Sequence, residues 1–91
     1  MKKEDILDTA KELIAGQRAI DYGDAQDNFE RIAAGWNLIL EATDGPITAR
    51  HVALMMDWLM TARLAQSPDH MDSWIDKCGY SALGGSFDNA G

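Results

Sequence analysis

Residues 48–66, TARHVALMMDWLMTARLAQ, constrain this chain more than any other stretch. Between Val52 and Ala65 only Asp57, Thr61 and Arg63 interrupt an apolar run of Val, Ala, Leu, Met and Trp. A helix without a polar face has to be covered on every side. The run therefore predicts a central helix wrapped by three neighbours. It holds about 14 apolar residues and carries charge, too short a span for a bilayer. Asp57 and Arg63 are its anomalies, because a charge beside a core needs a partner or a cavity.

The neighbours follow from helical periodicity. Residues 3–16 place Ile6, Leu7, Ala10, Leu13 and Ile14 on one face, with Glu4, Asp5 and Asp8 near the positive helix start. Gly23 permits a turn, and Asp24 is placed to cap a second helix over about 25–41. Its expected buried stripe is Phe29, Ile32, Ala33, Trp36, Ile39 and Leu40, with Gln26, Asp27, Glu30, Arg31 and Asn37 facing water. Gly35 inside it marks a close helix approach or room for a ligand. TDGP at 43–46 is turn chemistry, and Thr48 caps the central helix. Ser67-Pro68 then suggests a last helix from Pro68 to about Leu83, stopped by Gly84-Gly85, with Met71, Trp74, Ile75, Cys78 and Ala82 inward. The fold class expected is all-α: a four-helix, bundle-like domain over 1–86 and a tail over 87–91.

Whole-chain quantities bound the function. At 91 residues the chain is one domain that buries only about 60–65% of its unfolded surface, so association into a homo-oligomer is a natural remedy. The formal charge of −7 argues against a nucleic-acid polymer as partner, yet leaves room for a small phosphorylated ligand held by one or two arginines. One cysteine, Cys78, allows no intramolecular disulfide and is expected to pack inside. The first residues do not read as a signal peptide, and a cytoplasmic protein with no membrane partner is expected.

Two constellations could carry chemistry. On the last helix Asp69, Asp72 and Asp76 fall at i, i+3 and i+7, one stripe of carboxylates, with Gly79 and Tyr80 beside it. Such a stripe suits Mg²⁺, which takes oxygen ligands, or it is relieved by Arg63 or Lys77. Arg63 is expected to reach back to Asp72 or Asp76, or to clamp a phosphate bidentately. His70 lies close by, and His51 is expected at the surface. Around the first turn, Arg18, Tyr22 and Asn28 offer a guanidinium, an aromatic face and an amide, suited to a planar polar ligand. There is no glycine-rich phosphate loop, HExxH or paired-cysteine motif.

Arg18, the run DYGDAQDNFERIAAGW at 21–36 and the run VALMMDWLMTARLAQSPDHMDSWIDKCGYSALG at 52–84 resemble a family of small tailed-phage proteins of unassigned function. The same YG, R and D-D-GY arrangement is similar to phage nucleotide-modification-associated domains and, more distantly, to the all-α nucleoside-triphosphate pyrophosphatases. The resemblance implies a phage-encoded homo-oligomer in the host cytoplasm. It would bind a nucleotide-type ligand through Arg18, Tyr22, Asn28, Trp36, Arg63, Asp72, Asp76 and Tyr80, sequestering a host nucleotide signal or serving phage nucleotide metabolism. No cofactor is expected on that reading. The pyrophosphatase likeness implies instead a Mg²⁺ enzyme with Asp72 and Asp76 as ligands and Asp57 or Glu12 completing the set, although ExxE is absent. A non-catalytic protein–protein interaction module is the third alternative.

Overall fold

A computed structural model describes residues 1–16 and 24–88. The described residues form four helices: α1 (Lys3–Ala15), α2 (Ala25–Ala42), α3 (Ala49–Gln66) and α4 (Met71–Ser86). The all-α expectation holds, and the starts of α2 and α3 fall at their expected caps. Asp24 accepts the Asp27 backbone N–H at 3.0 Å, satisfying one of the four N–H groups a helix start leaves without partners. Gly45, at φ +95°, makes the turn before α3. No described helix is long and apolar enough to cross a membrane.

The start of α3 corrects one expectation. Thr48 occupies the N-cap, and its backbone N–H donates to Nδ1 of His51 at 2.9 Å. The Thr48 hydroxyl lies 2.8 Å from the same nitrogen. His51 thus takes the place that Glu or Gln holds in a capping box, and it is half-buried, not a surface group.

Among the described residues two helices pack along α3, where three are expected: α2 on one side and α4 on the other. Met60, Ala62 and Leu64 are buried, whereas Val52 and Leu54 are exposed. No residue of α1 is buried, and its apolar face of Ile6, Leu7, Leu13 and Ile14 is open.

The α2–α3 contact is a reciprocal clasp of two tryptophans. Trp36 of α2 donates its indole N–H to the Met55 carbonyl of α3 at 2.7 Å. Trp58 of α3 donates to the Arg31 carbonyl of α2 at 2.9 Å. Trp58 lies flat over Gly35, where an added Cβ would meet the indole at 1.9 Å. This confirms Gly35 as a point of close approach. It also turns α2 away from its expected orientation: Asn28, Ile32 and Gly35 are buried, while Phe29, Ala33 and Leu40 face outward. The indole needs a residue without a side chain beneath it, and that requirement outweighs the greasiest stripe.

α4 departs further from expectation. Pro68 and Asp69 form a turn outside the helix, with the His70 N–H donating to the Ser67 carbonyl at 3.0 Å. Gly84 and Gly85 lie inside α4 and do not end it. Its inward face is Ser73, Lys77, Tyr80 and Gly84, while Met71, Trp74, Ile75, Cys78 and Ala82 are all exposed. Two contacts explain the choice. Gly84 lets the backbone approach α3 so closely that a Cβ there would lie 2.7 Å from Cβ of Ala53. Lys77 reaches Asp57, its Nζ 3.0 and 3.1 Å from the two carboxylate oxygens. A charged group in α3 has found its partner, and the greasy side of α4 is left outside.

Both ends of that ion pair are partly screened, with side-chain exposures of 31% and 23%. Asp57→Ala should therefore cost about 1 kcal/mol, near the top of the range for exposed pairs. Urea denaturation should give a similar loss for Lys77→Ala and less than the sum for the double replacement. Additive losses would mean that the two groups do not interact.

Candidate functional site

The structure divides the expected site residues among separate places. Arg18 and Tyr22 lie outside the described residues. Asn28 and Trp36 sit on α2 against α3. Tyr80 sits between α3 and α4. Arg63, half-buried, stands in the last turn of α3, with its Nη1 4.0 Å from the Met60 sulfur. Asp72 and Asp76 are exposed, and no hydrogen bond or ion pair to either is found among the described residues. The expected reach of Arg63 to Asp72 or Asp76 is not made.

The carboxylate stripe also fails to assemble. Asp69 lies before the helix, Asp72 and Asp76 face outward, and Asp57, proposed to complete a Mg²⁺ set, is held by Lys77. Ser81 Oγ adds a contact to Asp57 at 3.4 Å. Among the described residues no group of three or more His, Cys, Asp and Glu is placed to hold a metal ion. His70 is occupied locally, its Nδ1 2.8 Å from the hydroxyl of the buried Ser73.

What assembles instead is a polar strip on the buried side of α2. Asn28 is only 4% exposed, and its Oδ1 has no hydrogen-bond partner. One helical turn on, Arg31 carries a buried Nε and a buried Nη2, also without partners. Residues three apart on a helix are surface neighbours, about 5–6 Å between Cβ atoms. Buried polar groups are otherwise nearly always satisfied, and each one left unmade costs about 1–3 kcal/mol. Three such atoms within one turn are a concentrated exception. They present one acceptor and two donors, the donors on a permanently charged guanidinium.

On the next face of α2, four residues on from Asn28 at Ile32, lies an apolar cleft of about 310 Å³ lined by Phe29, Ile32, Ala33, Trp36 and Leu59, but by neither Asn28 nor Arg31. A second cleft, of about 300 Å³, lies between α3 and α4, with Arg50, Asp57, Tyr80 and Ser81 among its walls. There the Arg50 guanidinium donates to the Phe87 carbonyl and ties down the end of α4.

Arg31 belongs to this buried strip, whereas reading the sequence for hydrophobic stripes assigns it to solvent. The signal available was Gly35. Once Gly35 is placed at the helix contact, Arg31 and Asn28 lie on the same strip, four and seven residues back.

Comparison with known proteins places this chain. A family model described as a domain of unknown function, DUF6378, matches residues 5–88. The chain belongs to that family. Gene 55 protein of Mycobacterium phage L5 is 44% identical over 78 residues, which are 86% of this chain and 49% of the relative. Gene 55 protein of Mycobacterium phage D29 is 33% identical over 78 residues, 86% of this chain and 50% of the relative. The DUF6378 chain described here thus spans about half the length of these curated relatives. It is a protein of a phage family of unknown function, and no solved structure matches it.

Proposed function

We propose that this DUF6378 domain binds a small phosphorylated, nucleotide-type ligand at α2. The observation that carries the reading is the buried strip of Asn28 Oδ1, Arg31 Nε and Arg31 Nη2, all without partners. The three atoms are closed to solvent, so binding requires the half-buried Arg31 side chain to shift outward; its guanidinium edge then suits phosphate oxygens, which accept two parallel N–H bonds. An amide oxygen accepts from an amino or hydroxyl group. The adjoining cleft, with Phe29 and Trp36 in its wall, gives a planar base an apolar surface. Small-molecule sites commonly join such a cleft to a few convergent polar groups. Arg18 and Tyr22 are proposed as further ligand contacts on their chemistry alone, with Arg63 as a second cation. Sequestering a host nucleotide signal or serving phage nucleotide metabolism are both uses for such binding.

Thermal melting against a panel of nucleotides and cyclic nucleotides tests the reading. A ligand at a hundred times its Kd adds about 2.7 kcal/mol. In a domain of this size that should raise Tm by about 10–20 °C. Asn28→Ala should weaken the response at least tenfold in ligand concentration without unfolding the protein. A panel that leaves Tm unmoved at millimolar concentrations would refute the proposal.

A further inference from the structure

We propose that the outward stripe of α4, Met71, Trp74, Ile75, Cys78 and Ala82, is a two-fold interface with a second copy of this chain. Surface area gives the first reason. A folded monomer of 10.0 kDa should expose about 5,200 Å². This chain exposes 6669 Å², which is about 1,400 Å² more than that scaling gives. A standard interface takes about 800 Å² from each partner, so the excess, to which the open face of α1 also contributes, exceeds what one subunit gives up in a stable dimer.

The composition of the stripe gives the second. Met71, Trp74 and Ile75 are 64%, 46% and 60% exposed, and no charged residue lies among them on that line. Asp72 and Asp76 flank it. An apolar centre rich in Trp and Met, with charge kept to the rim, is the usual anatomy of an interface.

The order of residues along α4 selects a second copy as the occupant. Both acids of the helix stand in its first half, Asp72 and Asp76, while residues 78–86, CGYSALGGS, carry no charge. An antiparallel pairing of two α4 helices sets each acidic half against the partner's uncharged half. Like charges then do not meet. With the two-fold axis near Cys78, Trp74 faces Ala82 of the second copy and Met71 faces its Gly85, so each large side chain meets a small one. Two-fold, self-complementary contacts of this kind are the commonest route to soluble oligomers. The pairing also accounts for α4 turning its polar face inward: the greasy face is needed elsewhere. This proposal is independent of the ligand site on α2.

Light scattering coupled to size exclusion should give twice the mass of 10.0 kDa at micromolar concentration. Cys78 is the chain's one cysteine and is exposed, so a short bismaleimide should convert the wild type to a covalent dimer and leave Cys78→Ser unchanged. Ile75→Glu, at a position already open in the monomer, should keep the helical circular dichroism and weaken dimerisation at least 100-fold. A wild-type chain that stays monomeric at 100 µM overturns the proposal. So does a dimer that resists Ile75→Glu, or one whose Cys78 thiols do not cross-link. An unfolded Ile75→Glu would leave the cross-link of the wild type to decide.

Discussion

Gly35→Ala should lower Tm by about 8–16 °C. Two effects oppose each other at this position. Alanine is the better helix former by about 1 kcal/mol, and that term alone would stabilise α2. Against it, the new methyl carbon would sit 1.9 Å from the Trp58 indole, well inside contact distance. The indole is not a flexible tip that swings aside. It is held by its hydrogen bond to the Arg31 carbonyl, and the Trp36 bond to the Met55 carbonyl fixes the same pair of helices. Overpacking of this kind costs about 3 kcal/mol, so the clash wins by about 2. For a domain of this size each kcal/mol moves Tm by about 4–8 °C. Gly79→Ala is the control: that glycine is also helical, but nothing lies within 4 Å of the added carbon. It should leave Tm unchanged or raise it slightly. Equal behaviour of the two variants would mean that Trp58 does not rest on Gly35.

Gly35 also shows how far the sequence could be read. Helix starts and stops were legible for α1, α2 and α3, because Asp24 and Thr48 are capping residues and Gly45 makes a left-handed turn. The choice of central helix was legible too, since only α3 is apolar nearly all round. Which face each neighbour turns toward it was not. Hydrophobic periodicity put Phe29, Ala33 and Leu40 inside, and Met71, Trp74, Ile75 and Cys78 with them. The faces were set by pairwise terms that periodicity does not contain: an indole that needs a glycine beneath it, Gly84 against Ala53, and Asp57 with Lys77. At the site, Asn28 was legible as an amide near a turn. Arg31 was not, because a charged residue on an amphipathic helix reads as solvated unless its strip is known to be buried. The end of α4 was misplaced for a similar reason: Gly84-Gly85 resembles a helix stop, yet here Gly84 serves helix packing.

Arg31→Met should raise Tm by about 5–10 °C in the absence of ligand and abolish ligand binding. Both halves follow from one fact, the two buried guanidinium nitrogens without partners. A methionine keeps most of the aliphatic stem and removes the unsatisfied donors. Each buried donor left unmade costs about 1–3 kcal/mol, and an apolar replacement of similar shape is neutral or stabilising. The net gain should be about 1–2 kcal/mol after loss of packing. A residue retained against stability is the expected signature of a functional position. Had Arg31 a structural role only, the same substitution would destabilise the fold and would have no ligand response to lose. Urea denaturation of the two proteins, with and without the nucleotide that shifts the wild type, separates these cases.

The most direct measurement is a ¹⁵N-correlated NMR titration with that nucleotide, following the Arg31 Nε–H and the Asn28 side-chain amide. These groups sit on the strip proposed to touch phosphate and base edges, and the Nε–H is buried, so its resonance should survive exchange with water. Both resonances should move together, saturate at the Kd given by melting, and shift further than any signal from Tyr80 or Arg50. Saturation with Arg31 and Asn28 unmoved, or with the changes confined to the cleft between α3 and α4, would contradict binding at α2.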